Sequence, residues 1–103
     1  MWKTIKIEGI VSIDKKIAEY RIKSNKVPHE DFKIKIIEKQ DGSFLAHPNI
    51  AVISKDGFPD YICGVGGSIE DALEDCYNYF IDNFSNRDNL TVDDFVYVEP
   101  EIF

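Results

Sequence analysis

Residues 64–84, GVGGSIEDALEDCYNYFIDNF, constrain this chain more than any other stretch. A glycine-rich turn runs directly into a segment with helical periodicity. Ser68 is a good N-cap, and Asp71, three residues on, can make a weaker version of the capping box. Ile69, Ala72, Leu73, Cys76, Tyr77, Phe80 and Phe84 recur at three- and four-residue spacing and form one apolar stripe. Glu70, Asp71, Glu74 and Asp75 fall in the first two turns, where the helix dipole favours negative charge. The segment predicts one helix with an apolar face to bury and an acidic face to expose.

The rest of the chain reads as strands. Residues 2–8 alternate, with Ile5 and Ile7 on one side and Trp2, Thr4, Lys6 and Glu8 on the other. Gly9 marks a bulge or bend, and Asp14, Lys15 and Lys16 suggest a tight turn. Residues 17–23 alternate again, so residues 2–23 predict an N-terminal β-hairpin. Residues 24–31 contain Pro28 and read as a loop. Residues 32–39 follow as a strand with Phe32, Ile34 and Ile36 inward. Asp41-Gly42 is a strong hairpin signal, and the return strand meets Pro48. Residues 50–54 are extended, Lys55-Asp56-Gly57 turns, and residues 58–65 lead into the glycine turn. Residues 91–103 look extended, with Pro100 placing them at an edge or an end.

The expected order is β-β-β-β-(β)-α-β in a single domain, residues 1–103. The fold class is α+β: a mostly antiparallel sheet with one amphipathic helix on one face. Apolar residues make up 44% and charged residues 30%, which excludes a disordered chain. Seven Phe, five Tyr and one Trp favour a sheet-containing core. No apolar run approaches the roughly 20 residues that span a bilayer. The N-terminus carries no apolar signal-peptide segment, so a cytoplasmic location without membrane contact is expected.

The net charge of −7 is unevenly spread. Residues 1–39 hold ten Lys/Arg against six Asp/Glu, and residues 40–103 hold two against thirteen. An acidic surface disfavours the phosphate backbone, so no direct nucleic-acid contact is expected. It steers a basic protein towards the chain, or it serves solubility alone.

Each chemical motif has a structural reading beside the functional one. Gly64, Val65, Gly66 and Gly67 before a helix suggest a phosphate cradle. The G-x-G-x-x-G spacing is not met, no Lys follows, and four carboxylates crowd the first two turns, so a tight strand-to-helix turn is favoured. Asp41, Asp56, Asp60 and the helix carboxylates form no D-x-D-x-D-G loop, and solvent-facing carboxylates make poor general acids. His29 and His47 lack partners at motif spacing. Cys63 and Cys76 read as reduced packing residues. No catalytic residue, metal or cofactor is expected. Trp2, Ile102 and Phe103 are large apolar residues near the ends and hint at self-association, a homo-oligomer.

From residue 32 onward the order of signals resembles the HicB-like antitoxin family. The matching stretches are FKIKIIEKQDGSFLAHPNIAV, GVGGSIEDALEDCYNYFIDNF and DDFVYVEPEIF. The resemblance covers residues 32–103. It implies a partial ribonuclease H-like core with one helix, a tendency to oligomerise, and sequestration of a small basic ribonuclease toxin. The chain departs from the family in the N-terminal hairpin, residues 2–23, and in an insertion around residues 54–61. It is also expected to lack the family's C-terminal DNA-binding segment. The ribonuclease H acidic site is not recognisable, so nuclease activity is not implied.

These readings favour a non-catalytic, acidic protein-binding domain that neutralises or modulates a basic partner, toxin or nuclease-like. Glu70, Asp71, Glu74, Asp75 and Asp82 are its candidate partner-binding residues. The alternatives are a phage or mobile-element inhibitor that mimics nucleic acid, and a small enzyme. The last needs a pocket where carboxylates or His47 converge.

Overall fold

The computed structural model describes residues 2–28 and 31–103, so His29 lies outside the described residues. The architecture is α+β, with antiparallel sheets and a single helix packed on one of them. Seven strands are present among the described residues: β1 (Asp14–Ile22), β2 (Phe32–Lys39), β3 (Phe44–Pro48), β4 (Ile50–Ile53), β5 (Pro59–Asp60), β6 (Gly64–Gly66) and β7 (Phe95–Tyr97). Helix α1 (Ile69–Asp82) lies between β6 and β7. No helix is long and apolar enough to cross a membrane among the described residues.

The strands divide into a four-stranded sheet, β1-β2-β3-β6, and a three-stranded one, β5-β4-β7. The β2–β3 hairpin forms where Asp41-Gly42 predicts it. Gly42 takes φ 90°, a left-handed conformation that suits glycine. The Asp41 carboxylate accepts from the Ser43 backbone N–H at 2.9 Å and the Ser43 hydroxyl at 2.6 Å, which fixes the turn. Pro48 ends β3, and Asn49 joins the two sheets. Its side chain accepts from Lys33 N–H at 2.8 Å, its own N–H donates to Lys33 O, and its carbonyl accepts from Val98 N–H.

Helix α1 covers one face of the larger sheet. Phe32, Ile34 and Ile36 of β2, Ala46 of β3 and Ala72, Cys76 and Phe80 of α1 are buried together. Phe80 sits at the centre of an aromatic cluster, 5.3 Å from Phe32, 5.2 Å from Phe84 and 6.2 Å from Phe95 between ring centroids. Phe84 packs as its spacing predicts although it lies just past the helix. Ser68 caps the helix by accepting from Asp71 N–H at 3.1 Å, worth about 1 kcal/mol.

The N-terminal hairpin is not formed. Trp2–Thr4 is a short 3-10 turn, and the strand that pairs with β1 is β2. Asp14, Lys15 and Lys16 begin β1 instead of turning the chain. The turn lies upstream, where Ile10 N–H donates to Ile7 O at 3.0 Å around Gly9 at φ 91°. The physical reason is burial. Pairing Ala18, Tyr20 and Ile22 with Ile36, Ile34 and Phe32 sets the apolar side of β1 beside the core. Residues 5–11 reach no such surface and remain exposed, Val11 fully so.

Residues 91–103 are also less extended than their pattern predicts. Only β7 is a strand, flanked by 3-10 turns at Val92–Asp94 and Pro100–Ile102. Thr91 N–H donates to Asp94 Oδ2 at 2.8 Å while the Thr91 hydroxyl accepts from Asp93 N–H at 3.3 Å. These local bonds compete with strand pairing. β7 pairs antiparallel with β4, not with the helix-bearing sheet.

Candidate functional site

The outer face of α1 is built by the same periodicity that buries its inner face. Ala72, Cys76 and Phe80 point into the core, so residues half a turn away point to water. Glu70, Asp71, Glu74, Asp75 and Asp82 are all exposed, and the structure places all five on the solvent side. Among the described residues none of them forms an ion pair. Tyr79, 49% exposed, stands one turn beyond Asp75 and gives the acidic surface an aromatic margin.

Asp75 differs from the other four. Its Oδ2 accepts from Val65 N–H at 2.9 Å, tying the helix to β6. It therefore has a structural task in addition to its place on the surface. The glycines before the helix have one too. A Cβ on Gly64 would stand 2.4 Å from Cys76 N, and one on Gly66 would stand 2.5 Å from Ala72 N. Helix backbone and strand backbone touch there, which only glycine permits. The glycine turn is a packing device, and the carboxylates of Asp71 and Asp75 stand beside it.

The opposite face of the larger sheet carries Lys33, Lys35, Ile37 and Lys39 from β2, alternating with the buried residues of the helix face. Phe103 is folded onto it: its main-chain oxygen accepts from Lys35 Nζ at 3.0 Å, and its ring centroid is 4.7 Å from that nitrogen. Beside this contact a groove of about 370 Å³ opens, with Ile37, Leu45 and Ile62 among its apolar lining and Lys35, His47 and Asp14 among its polar lining.

At this side of the sheet the fold joins two residues that sequence spacing does not connect. His47 Nε2 and Cys63 Sγ are 3.9 Å apart. They follow from register, because β3 Ala46 stands opposite β6 Gly64. Burial, aided by nearby Lys35, lowers the His47 pKa, and burial raises that of the Cys63 thiol. The thiol also donates to Gly64 O at 3.5 Å. Both shifts run against the thiolate–imidazolium pair on which a cysteine nucleophile depends. Cys76, fully buried under the helix, is pushed up to about 12 by desolvation. Among the described residues no group of three or more His, Cys, Asp or Glu is placed to hold a metal ion.

No family model matches this chain, and no curated protein or solved structure matches it either. What the fold defines is its class: a small α+β domain whose one helix presents an acidic surface.

Proposed function

We propose that this chain is a non-catalytic protein-binding domain, HicB-like in the order of its elements, that neutralises or modulates a small basic protein such as a toxin. The observation that carries the reading is the set of five carboxylates on one exposed helix face, with no ion-pair partner among the described residues. Such a face raises the association rate of a cationic partner and disfavours an acidic one. Tyr79 beside it supplies the aromatic contact that interface centres favour. The helix is anchored from beneath by Phe80 and Cys76, so the charges are held in a fixed array.

The test is a binding titration against small basic proteins of the host, beginning with any encoded by an adjacent gene. A partner should bind with an affinity that falls steeply with salt. The double variant Glu74→Lys, Asp82→Lys should weaken it roughly tenfold or more and flatten the salt dependence. Asp75 is left intact in this test because it also holds β6. An affinity and salt dependence unchanged by the double variant would remove the helix face from the interface.

A further inference from the structure

Strand β1 forms the outer edge of the larger sheet, and it is the longest strand described, nine residues. Such an edge presents a row of backbone donors and acceptors to any strand that can match it. Its side chains restrict what can match. β1 carries a bulge between Lys16 and Ala18. Cross-strand partners share a face, so the pairing with β2 fixes which way each residue points. Asp14, Lys16, Glu19 and Arg21 stand opposite Lys39, Ile37, Lys35 and Lys33 and face away from the helix. Lys15, Ala18, Tyr20 and Ile22 stand opposite Glu38, Ile36, Ile34 and Phe32 and face the helix side.

We propose that β1 pairs antiparallel with β1 of a second copy of this chain, about a two-fold axis between Ile17 and Ala18. In that register Asp14 meets the second copy's Arg21, Lys15 meets Tyr20, and Lys16 meets Glu19. Every one of these pairs lies on a single face, because the bulge exchanges the faces on either side of Ile17. By symmetry each contact occurs twice. The interface thus holds four opposite-charge pairs and two contacts of a lysine with a tyrosine ring.

The neighbouring registers fail. A slip of one residue sets side chains of opposite faces against each other. In the face-compatible registers on either side, Lys16 meets Arg21 or Asp14 meets Glu19, both like-charge contacts. The charge pattern of β1 is self-complementary in one alignment only. The interacting side chains are reachable, Asp14 being 42% exposed and Arg21 68%. Each already has a partner in its own chain, Lys39 for Asp14, Asp31 for Arg21 and Glu19 for Lys16, which the dimer exchanges for contacts across the edge. This edge lies apart from the acidic surface of α1, so a dimer leaves that surface open.

The experiment is sedimentation of the full chain with two single variants, Lys16→Glu and Glu19→Lys. The wild type should be a dimer at low ionic strength and dissociate as salt rises. Each variant alone turns two attractive pairs into two repulsive ones and should self-associate about tenfold or more weakly. Mixed in equal amounts, the two variants should form a heterodimer. The carboxylate introduced at position 16 of one then faces the ammonium introduced at position 19 of the other, and the second pair keeps its native charges. Circular dichroism checks the fold. If either variant misfolds, Asp14→Arg and Arg21→Asp repeat the same logic at the outer pair. A wild type that stays monomeric overturns the proposal and makes the charges and bulge edge protection. Variants that still dimerise alone, or that do not dimerise when mixed, overturn it equally.

Discussion

The two faces of the four-stranded sheet are made of the same strands yet have opposite characters. On the helix side, Ile34, Ile36 and Ala46 are completely buried. On the other side, Val65 is 55% exposed, and Lys33 and Lys35 are engaged by carboxylates and by Phe103. One face is a closed core held by shape. The other is a polar surface with apolar patches, held by ion pairs between partly exposed side chains. Under the proposed function, stability and binding divide along that line. Substitutions on the helix side should change folding, and those on the open side or the outer helix surface should chiefly change binding, with Asp75 and His47 as members that also bear on stability.

The largest expected effect is on the helix side. Phe80→Ala removes the ring shared by Phe32, Phe84 and Phe95 and should cost about 3–5 kcal/mol in urea unfolding. Gly64→Ala should follow at about 3 kcal/mol, since its Cβ meets helix backbone that has no rotamer to yield. Gly67→Ala, three residues along in the same turn, meets no atom within 4 Å and should shift stability by under about 0.5 kcal/mol. Equal losses at Gly64 and Gly67 would show that the close approach of strand to helix is not what requires glycine at position 64.

The same contrast explains what the sequence reveals. Helix α1 is legible because its period, cap and acidic first turn agree, and the structure has all three. The β2–β3 hairpin is legible because Asp41-Gly42 specifies it locally. The N-terminal hairpin misleads because alternation at residues 2–8 gives a strand period without naming a partner. The partner of β1 is decided by the buried face of β2, with nine residues of chain between the two strands, a nonlocal choice. The approach of His47 to Cys63 is hidden for the same reason: it depends on β3 pairing with β6 after the chain has left the sheet and returned. The candidate site is legible as a face, since carboxylate spacing fixes direction. The bond from Val65 to Asp75, which separates Asp75 from the other four, needs tertiary structure.

That bond yields a smaller and sharper prediction. Asp75→Ala should destabilise the protein by about 1 kcal/mol, the net worth of one hydrogen bond to an exposed carboxylate. Asp82→Ala should be within about 0.5 kcal/mol of wild type, because among the described residues no bond to its carboxylate parallels that of Asp75. If both substitutions are silent in thermal unfolding, pairing with β3 and the glycine contacts with the helix hold β6 without the Asp75 bond. A loss confined to Asp75 would confirm that the acidic face has one structural member.

The smallest effect belongs to the open side and is read by pH. Burial and Lys35 hold the pKa of His47 below its ordinary value of 6.5. The unfolded chain therefore takes up a proton that the folded protein resists. Above about pH 6.5 neither state carries that proton, and the contribution to stability is fully present. As the pH falls below 6.5 the unfolded state binds first, and stability declines until the folded imidazole is protonated as well. His47→Gln keeps a polar side chain beside Cys63 and removes the titration. Its unfolding free energy should decline less than that of wild type between about pH 6.5 and 5, while the two match in slope above pH 7. Parallel curves across the whole range would mean that the imidazole is as free to charge in the folded protein as in the unfolded chain, and that the open face is wetter around His47 than its half-buried position implies.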